Sequence, residues 1–316
     1  MTRIPATLLT LVMIAPAAWP QTGAKPKKQK DDVAKIGDRN VGKCLNFYSL
    51  EKEMALGKQL AEEVRRQSKL FDDPIAAEFV NRIGQNLARN SDAKVPFTFT
   101  LVEDEVVNAF ALPGGHVFVN TGLVRIAAEE DEFAGAIAHE IAHVAARHMT
   151  CRATQSQLAN LLTMPLGGIL GGWGGVAGRQ AAGVVLPATF LKFSRSDESE
   201  ADYLGLQYMY ATGYDPQGAI SIFEKMESLN RAKPGMLAKV LSTHPTDSDR
   251  INRAQKEIEA ILPARAEYVV TTSEYAAMRE RLIAAELKKK SPEDGRPRLR
   301  VADSEHPTTR RRDLVD

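Results

Sequence analysis

The sequence has little of what several functional classes require. Of its 316 residues only two are cysteine and two tryptophan, and aromatic residues make up 6%. Two cysteines, Cys44 and Cys151, with no C-x-x-C pair, exclude a disulfide-dense scaffold and argue against thiol redox chemistry. A bridge between them is the one pairing available, and two separate buried thiols are the alternative. An excess of charge of one sign is absent as well: 41 Lys and Arg face 40 Asp and Glu, a formal net charge of +1. With so few rings and no basic excess, a nucleic-acid partner is not indicated. Long apolar runs are also missing. The stretch from Ala6 to Ile14 is too short for a bilayer core, which asks for about 20 apolar residues. The glycine-rich segment 161–193 carries Arg179 and Gln180 in its middle and makes a poor spanning helix. A hydrophobic content of 44% nevertheless supports a real core.

What is present begins with a leader. Residues 1–20 carry Arg3, the short apolar stretch and the small residues Ala15, Ala17 and Ala18, the outline of a secretory signal peptide, so a periplasmic or secreted protein is expected. Segment 21–45 reads as a solvated linker, 46–290 as one folded domain, and 291–316 as a charged disordered tail. In the domain, Ser49 precedes a run in which Met54, Leu56, Leu60 and Val64 recur at helical spacing, and a second helix is expected over about 74–88. The period then changes: FTFTL alternates at Phe97, Phe99 and Leu101, and VVNAFAL and HVFVN flank Pro113, Gly114 and Gly115 as two short strands around a tight turn. An Ala-rich helix is expected over about 129–148, with others over about 194–211, 247–261 and 273–288. The fold class is therefore α+β, mostly helical, with a small sheet or hairpin beside the Ala-rich helix. Segment 161–193 reads as a loop packed on the domain, a lid and a peripheral membrane contact being the alternatives.

His139, Glu140, Ile141, Ala142 and His143 form H-E-x-x-H within the Ala-rich helix. A spacing of four puts both imidazoles on one face, a turn apart, as a pair of metal ligands. Glu140 adjoins the first histidine, where a general base reaches a water that the metal activates. Catalytic zinc needs a third protein ligand and an open fourth position. A third histidine six residues after the second, with a glycine between, completes one type of site, but Ala146 and Met149 stand at those places. His148 misses that register by one residue, points to another face of the helix, and reads as a surface or core histidine. The segment SRSDESEAD offers a glutamate instead. Glu198 and Asp202, four apart, share a helix face, one able to bind metal and the other to accept a hydrogen bond from a ligand histidine. Asp197, and with it Glu200, reads as a solvated acidic face.

H-E-I-A-H, FSRSDESEAD, S-T-H-P-T at 242–246 and NAFALPGGHVFVNTGL at 108–123 together resemble the gluzincin endopeptidases of peptidase family M48, over at least 47–261. The resemblance implies a zincin-like fold and one zinc ion per chain, held by His139, His143 and Glu198. It implies Glu140 as the base and Asp202 as the hydrogen-bond partner of a ligand. His244 is implied either as a donor to the developing oxyanion or as a group that fills the open metal position and holds the enzyme off. Polypeptide substrates follow, in particular misfolded or unassembled envelope proteins, as does a stand-alone form with no appended helical-repeat domain. HVFVN is expected to offer its edge to an extended substrate, and Asn108 to seat substrate or hairpin. His116 and His306 read as exposed, while Arg195 and Arg250 fit a structural ion pair as well as a substrate contact. The other classes are a chaperone-like protein with the same fold and a latent site, and a purely structural zinc with a fourth protein ligand.

Overall fold

The computed structural model describes residues 29–163, 192–232, 244 and 249–290. The expected signal peptide, most of the glycine-rich segment, the charged tail and His306 lie outside them.

Helix starts fall where side chains can satisfy the free amides. The Ser49 hydroxyl accepts the Lys52 amide at 3.3 Å to open α1 (Leu50–Gln67), and the Asp73 carboxylate accepts those of Ile75 and Ala76 at 3.0 and 3.1 Å to open α2 (Pro74–Arg89). Three short strands follow, β1 (Thr98–Val102), β2 (Ala109–Leu112) and β3 (His116–Asn120). The turn between β2 and β3 holds Gly114 and Gly115 at φ 74° and 89°, left-handed values that favour glycine. The sheet order is β1-β3-β2, with β3 parallel to β1 and antiparallel to β2. HVFVN is thus the middle strand and has no edge to offer. The expectation for it is corrected by the parallel pairing with β1, and the free edge next to it belongs to β2.

The remaining α-helices among the described residues are α3 (Thr121–Ile126), α4 (Glu130–Ala145), α5 (His148–Thr163), α6 (Arg195–Thr212), α7 (Gln217–Ala232), α8 (Asp249–Ile261) and α9 (Ser273–Lys290). α4 runs through the centre, against α2, α6, α7 and β2, and every one of its residues except Ala136 is buried. Its small residues let neighbours come close. A Cβ on Gly135 would lie 2.8 Å from the Ala219 Cα, and one on Gly205 of α6 would lie 3.3 Å from the His139 nitrogen. That close approach of α6 at His139 is what carries the acidic residues of α6 to the H-E-x-x-H face. No helix among the described residues is long and apolar enough to cross a membrane.

Two departures from expectation shape the site. The Ala-rich helix stops at Ala145, because Arg147 adopts the left-handed conformation at φ 57°, and His148 begins a new helix. The turn is held by the Arg147 guanidinium, which donates to Glu53 Oε2 at 2.7 Å and to the Tyr48 carbonyl at 2.6 Å. In addition, the later part of the expected linker is a docked strap. Arg39 is buried, donates to Asp92 through Nε at 3.1 Å and also bonds Gln207, while Cys44 is bridged to Cys151 with the Cα atoms 6.0 Å apart. A strap held largely by polar contacts and a bridge, with only Ile36 and Val41 packed on the core, needs no apolar periodicity, which is why composition alone suggested solvent. The bridge spans 107 positions, so reducing it frees a long loop in the unfolded chain and is expected to cost up to about 5 kcal/mol. Thermal melts with and without reductant measure this; an unchanged Tm would mean that the bridge does not stabilise the domain.

Candidate metal centre

On α4 the Nε2 atoms of His139 and His143 converge to 3.0 Å. The partner carboxylate comes from the first turn of α6. Ser194 accepts the Asp197 amide at 3.2 Å and Asp197 returns the contact by accepting the Ser194 amide at 2.8 Å, a reciprocal cap that places Glu198 where the helix dipole favours an anion. Glu198 Oε2 lies 3.4 Å from His139 Nε2 and Oε1 lies 3.5 Å from His143 Nε2. His244 closes the group, its Nδ1 2.9 Å from Glu198 Oε1 and its Nε2 3.5 Å from Glu140 Oε1. One donor atom from each of His139, His143, Glu198 and His244 lies within 4.8 Å of all the others, and all four residues are buried.

These residues fit a metal ion. Imidazole nitrogens and a carboxylate oxygen are the donor set that zinc prefers. Glu198 Oε2 is buried and makes no hydrogen bond among the described residues, Arg250 at 3.2 Å being an ion-pair contact, so this oxygen keeps a lone pair for a metal ion.

Behind each imidazole stands an outer contact. Asp202, one turn after Glu198, has Oδ1 3.0 Å from His139 Nδ1. Arg250 of α8 grips both Asp202 oxygens, Nε to Oδ2 at 2.8 Å and Nη2 to Oδ1 at 2.6 Å, with its guanidinium 4.5 Å from the centre of the Phe223 ring. Arg250 makes an ion pair, one of the two roles left open for it, and also lines a recess beside Asn108; Arg195 is exposed. His148 is a buried neighbour of the ligand group that helical spacing places on another face. Its Nδ1 lies 3.0 Å from His143 Nδ1 and its Nε2 lies 3.3 Å from Glu200 Oε2, and the residue is only 3% exposed. A continuous helix would carry position 148 about 140° around from position 143, whereas the break at Arg147 turns the ring back. Nothing in the local pattern announces a left-handed arginine. Glu200 and Asp197, both part-exposed, are also paired, Glu200 with His148 at 3.3 Å and Asp197 with Arg152 at 2.8 Å. His116, expected as exposed, is half-buried with Nδ1 2.8 Å from the Thr98 hydroxyl.

Burial and charge pull the titrating groups in different directions. Burial works against a charge on His139, but Asp202 and Glu198 outweigh it and push the imidazole up to about 10. The same burial, less compensated by Glu198, holds His143 well below its ordinary value. Burial raises Glu140, with His244 and His139 pulling the other way. Asp202 is held down at about 2, burial being overcome by the charge of Arg250 and the contact to His139.

Glu140 also touches the sheet. Its Oε2 accepts the Ala111 amide at 2.9 Å. The Asn120 amide donates to the Asn108 carbonyl at 3.0 Å, so the antiparallel alternation turns the backbone groups of Ala109 and Ala111 away from β3. The outer edge of β2, which no strand among the described residues pairs and whose Ala111 amide Glu140 takes up, therefore faces the H-E-x-x-H helix. An open recess at its Asn108 end is lined by Val107, Leu123, Phe223 and Met226 together with His139 and Glu140. The Asn108 Oδ1 atom is buried there without a partner.

Comparison with known proteins follows the same lines. A family model described as Peptidase family M48 matches residues 74–258, a span that contains all of the residues above from Asn108 to Arg250. The beta-barrel assembly-enhancing protease of Yersinia pestis is 32% identical over 231 residues, covering 68% of this chain and 46% of that protein. The putative beta-barrel assembly-enhancing protease of Vibrio cholerae is 28% identical over 287 residues, covering 88% and 56%. The mitochondrial metalloendopeptidase OMA1 of Saccharomyces cerevisiae is 35% identical over 154 residues, covering 47% and 43%. The chain spans about half the length of the curated relatives it matches.

Proposed function

The chain belongs to peptidase family M48, and from that premise we propose that it is a zinc metalloendopeptidase that hydrolyses peptide bonds of misfolded or unassembled cell-envelope proteins. The observation that carries this reading is the convergence of His139, His143 and Glu198 with Glu140 alongside. Export is supported by the leader-like residues 1–20 and by the Cys44–Cys151 bridge, which an oxidising compartment permits.

His139, His143 and Glu198 would hold one zinc ion, which when bound supplies a Lewis acid that polarises a peptide carbonyl and lowers the pKa of water to about 7. Glu140 takes the proton from the attacking water and passes it to the leaving amine, with one oxygen steadied by the Ala111 amide. Burial strengthens it as a base by disfavouring its charged form. Asp202 fixes the His139 ring from behind, and Arg250 fixes Asp202. An extended substrate pairs with the free edge of β2, the Asn108 side-chain oxygen accepts a substrate amide, and the recess takes an apolar side chain. Backbone pairing with one apolar anchor makes little demand on sequence, as suits unfolded substrates.

His244 touches both the ligand carboxylate and the base, contacts that support its standing in the way of water and the substrate carbonyl. We assign it as a latch that must withdraw for turnover, the same contact that a chaperone-like protein with a latent site would keep. His244→Ala is expected to raise cleavage of unfolded casein on the order of 10-fold by enlarging the competent fraction. A fall of similar size would make His244 the oxyanion donor instead. Cleavage by wild type that a chelator stops and zinc restores tests the proposed activity itself.

A further inference from the structure

The metal-binding face has an outer contact on the side of His143 as well as on the side of His139, and the proposed mechanism does not use it. Zinc bound at the lone pair of His143 Nε2 requires the ring proton on Nδ1. His148 Nδ1, 3.0 Å away, then offers its lone pair, which places the His148 proton on Nε2, 3.3 Å from the Glu200 carboxylate. A single choice of tautomers satisfies every member and ends on an acceptor. The surroundings hold the chain of contacts in place. Phe193 stacks on His143 with ring centres 3.9 Å apart, the Gly42 amide bonds the Glu200 carboxylate, and the Arg147 turn aims His148 inward. Gly42 lies on the N-terminal strap, close to the Cys44–Cys151 bridge, so Glu200 is supported by a segment that is itself tied down.

We propose that His148, backed by Glu200, is a positioning residue that orients His143 for zinc, as the counterpart of the Asp202–Arg250 pair behind His139. The proposal rests on the reading of His143 as a zinc ligand. Orienting a ligand imidazole from behind typically changes metal affinity by about 10 to 100-fold.

The test measures zinc affinity by competition with a chelating indicator, the visible spectrum of the cobalt(II)-substituted protein, and Tm, on wild type, His148→Ala, His148→Asn, Glu200→Ala and the double alanine variant. His148→Ala is expected to bind zinc about 10 to 100-fold more weakly and to shift the cobalt bands. His148→Asn, whose side-chain oxygen can stand in for Nδ1 as acceptor, is expected to recover most of the affinity. Glu200→Ala is expected to lose part of it and to add nothing to His148→Ala, because both act through one chain of contacts. Wild-type zinc affinity and cobalt bands in a folded His148→Ala overturn the proposal, as do losses that multiply in the double variant or an Asn variant as weak as Ala. Should His148→Ala not fold, Glu200→Ala, whose side chain is 29% exposed, decides: zinc binding weaker than wild type supports the proposal, and unchanged binding overturns it. A wild type that binds no zinc overturns the metallopeptidase reading itself, and the proposal with it.

Discussion

Glu140→Gln is expected to lower cleavage of unfolded casein by about 10²–10⁴-fold while zinc content stays at the wild-type level. Glu140 lies beside the ligand group without belonging to it, and its nearest polar neighbours are the Ala111 amide and His244. Glutamine has the same shape, keeps an oxygen for the Ala111 amide, and cannot take a proton from water. The substitution thus separates two classes that share the fold and the metal. A peptidase loses its biological effect with the base, whereas a chaperone-like protein keeps it. Cleavage within a few-fold of wild type in the zinc-loaded variant would remove Glu140 from the chemistry.

Arg250→Met is expected to be the most damaging change away from the ligands. Arg250 is 7% exposed, holds both oxygens of Asp202 and lies 3.2 Å from Glu198 Oε2, so its loss takes the two-point partner from buried Asp202 and one cation from buried Glu198. Breaking a buried pair in this way costs about 3–5 kcal/mol. For a domain of this size that corresponds to a fall in Tm of about 6–20 °C. Saturating zinc should restore part of it, since a cation at Glu198 replaces some of the missing charge. Arg250→Lys should fall between, because lysine keeps the charge but not the planar two-point grip. Melting curves with and without zinc check all three, and a Tm for Arg250→Met within about two degrees of wild type would show that the pair does not support the site.

The parts of the site that were legible in the sequence are those set by helical spacing. His139 with His143, and Glu198 with Asp202, share faces because four residues make about one turn, and that rule is local. The cap at Ser49 is local as well. What depended on distant pairing was not legible. The proline-glycine turn announces the hairpin of β2 and β3, but not that β1 adds in parallel to the other side of β3 and takes away its edge. The partner that Arg250 chooses lies 48 positions earlier, and Arg39 finds Asp92 53 positions later. His148 was misplaced by a single backbone event, the left-handed Arg147, at a residue type for which that conformation is uncommon. His244 entered through its motif alone, and its place between Glu198 and Glu140 is a property of the folded chain.

The most direct test of the metal centre is metal analysis of the purified, zinc-loaded protein beside Glu198→Ala, after exchange into buffer with a weak chelator. One zinc per chain in wild type, with none kept by Glu198→Ala, is the predicted result. A wild type without zinc, or a Glu198→Ala variant that keeps it as firmly as wild type, would contradict the assignment of His139, His143 and Glu198 as the ligands.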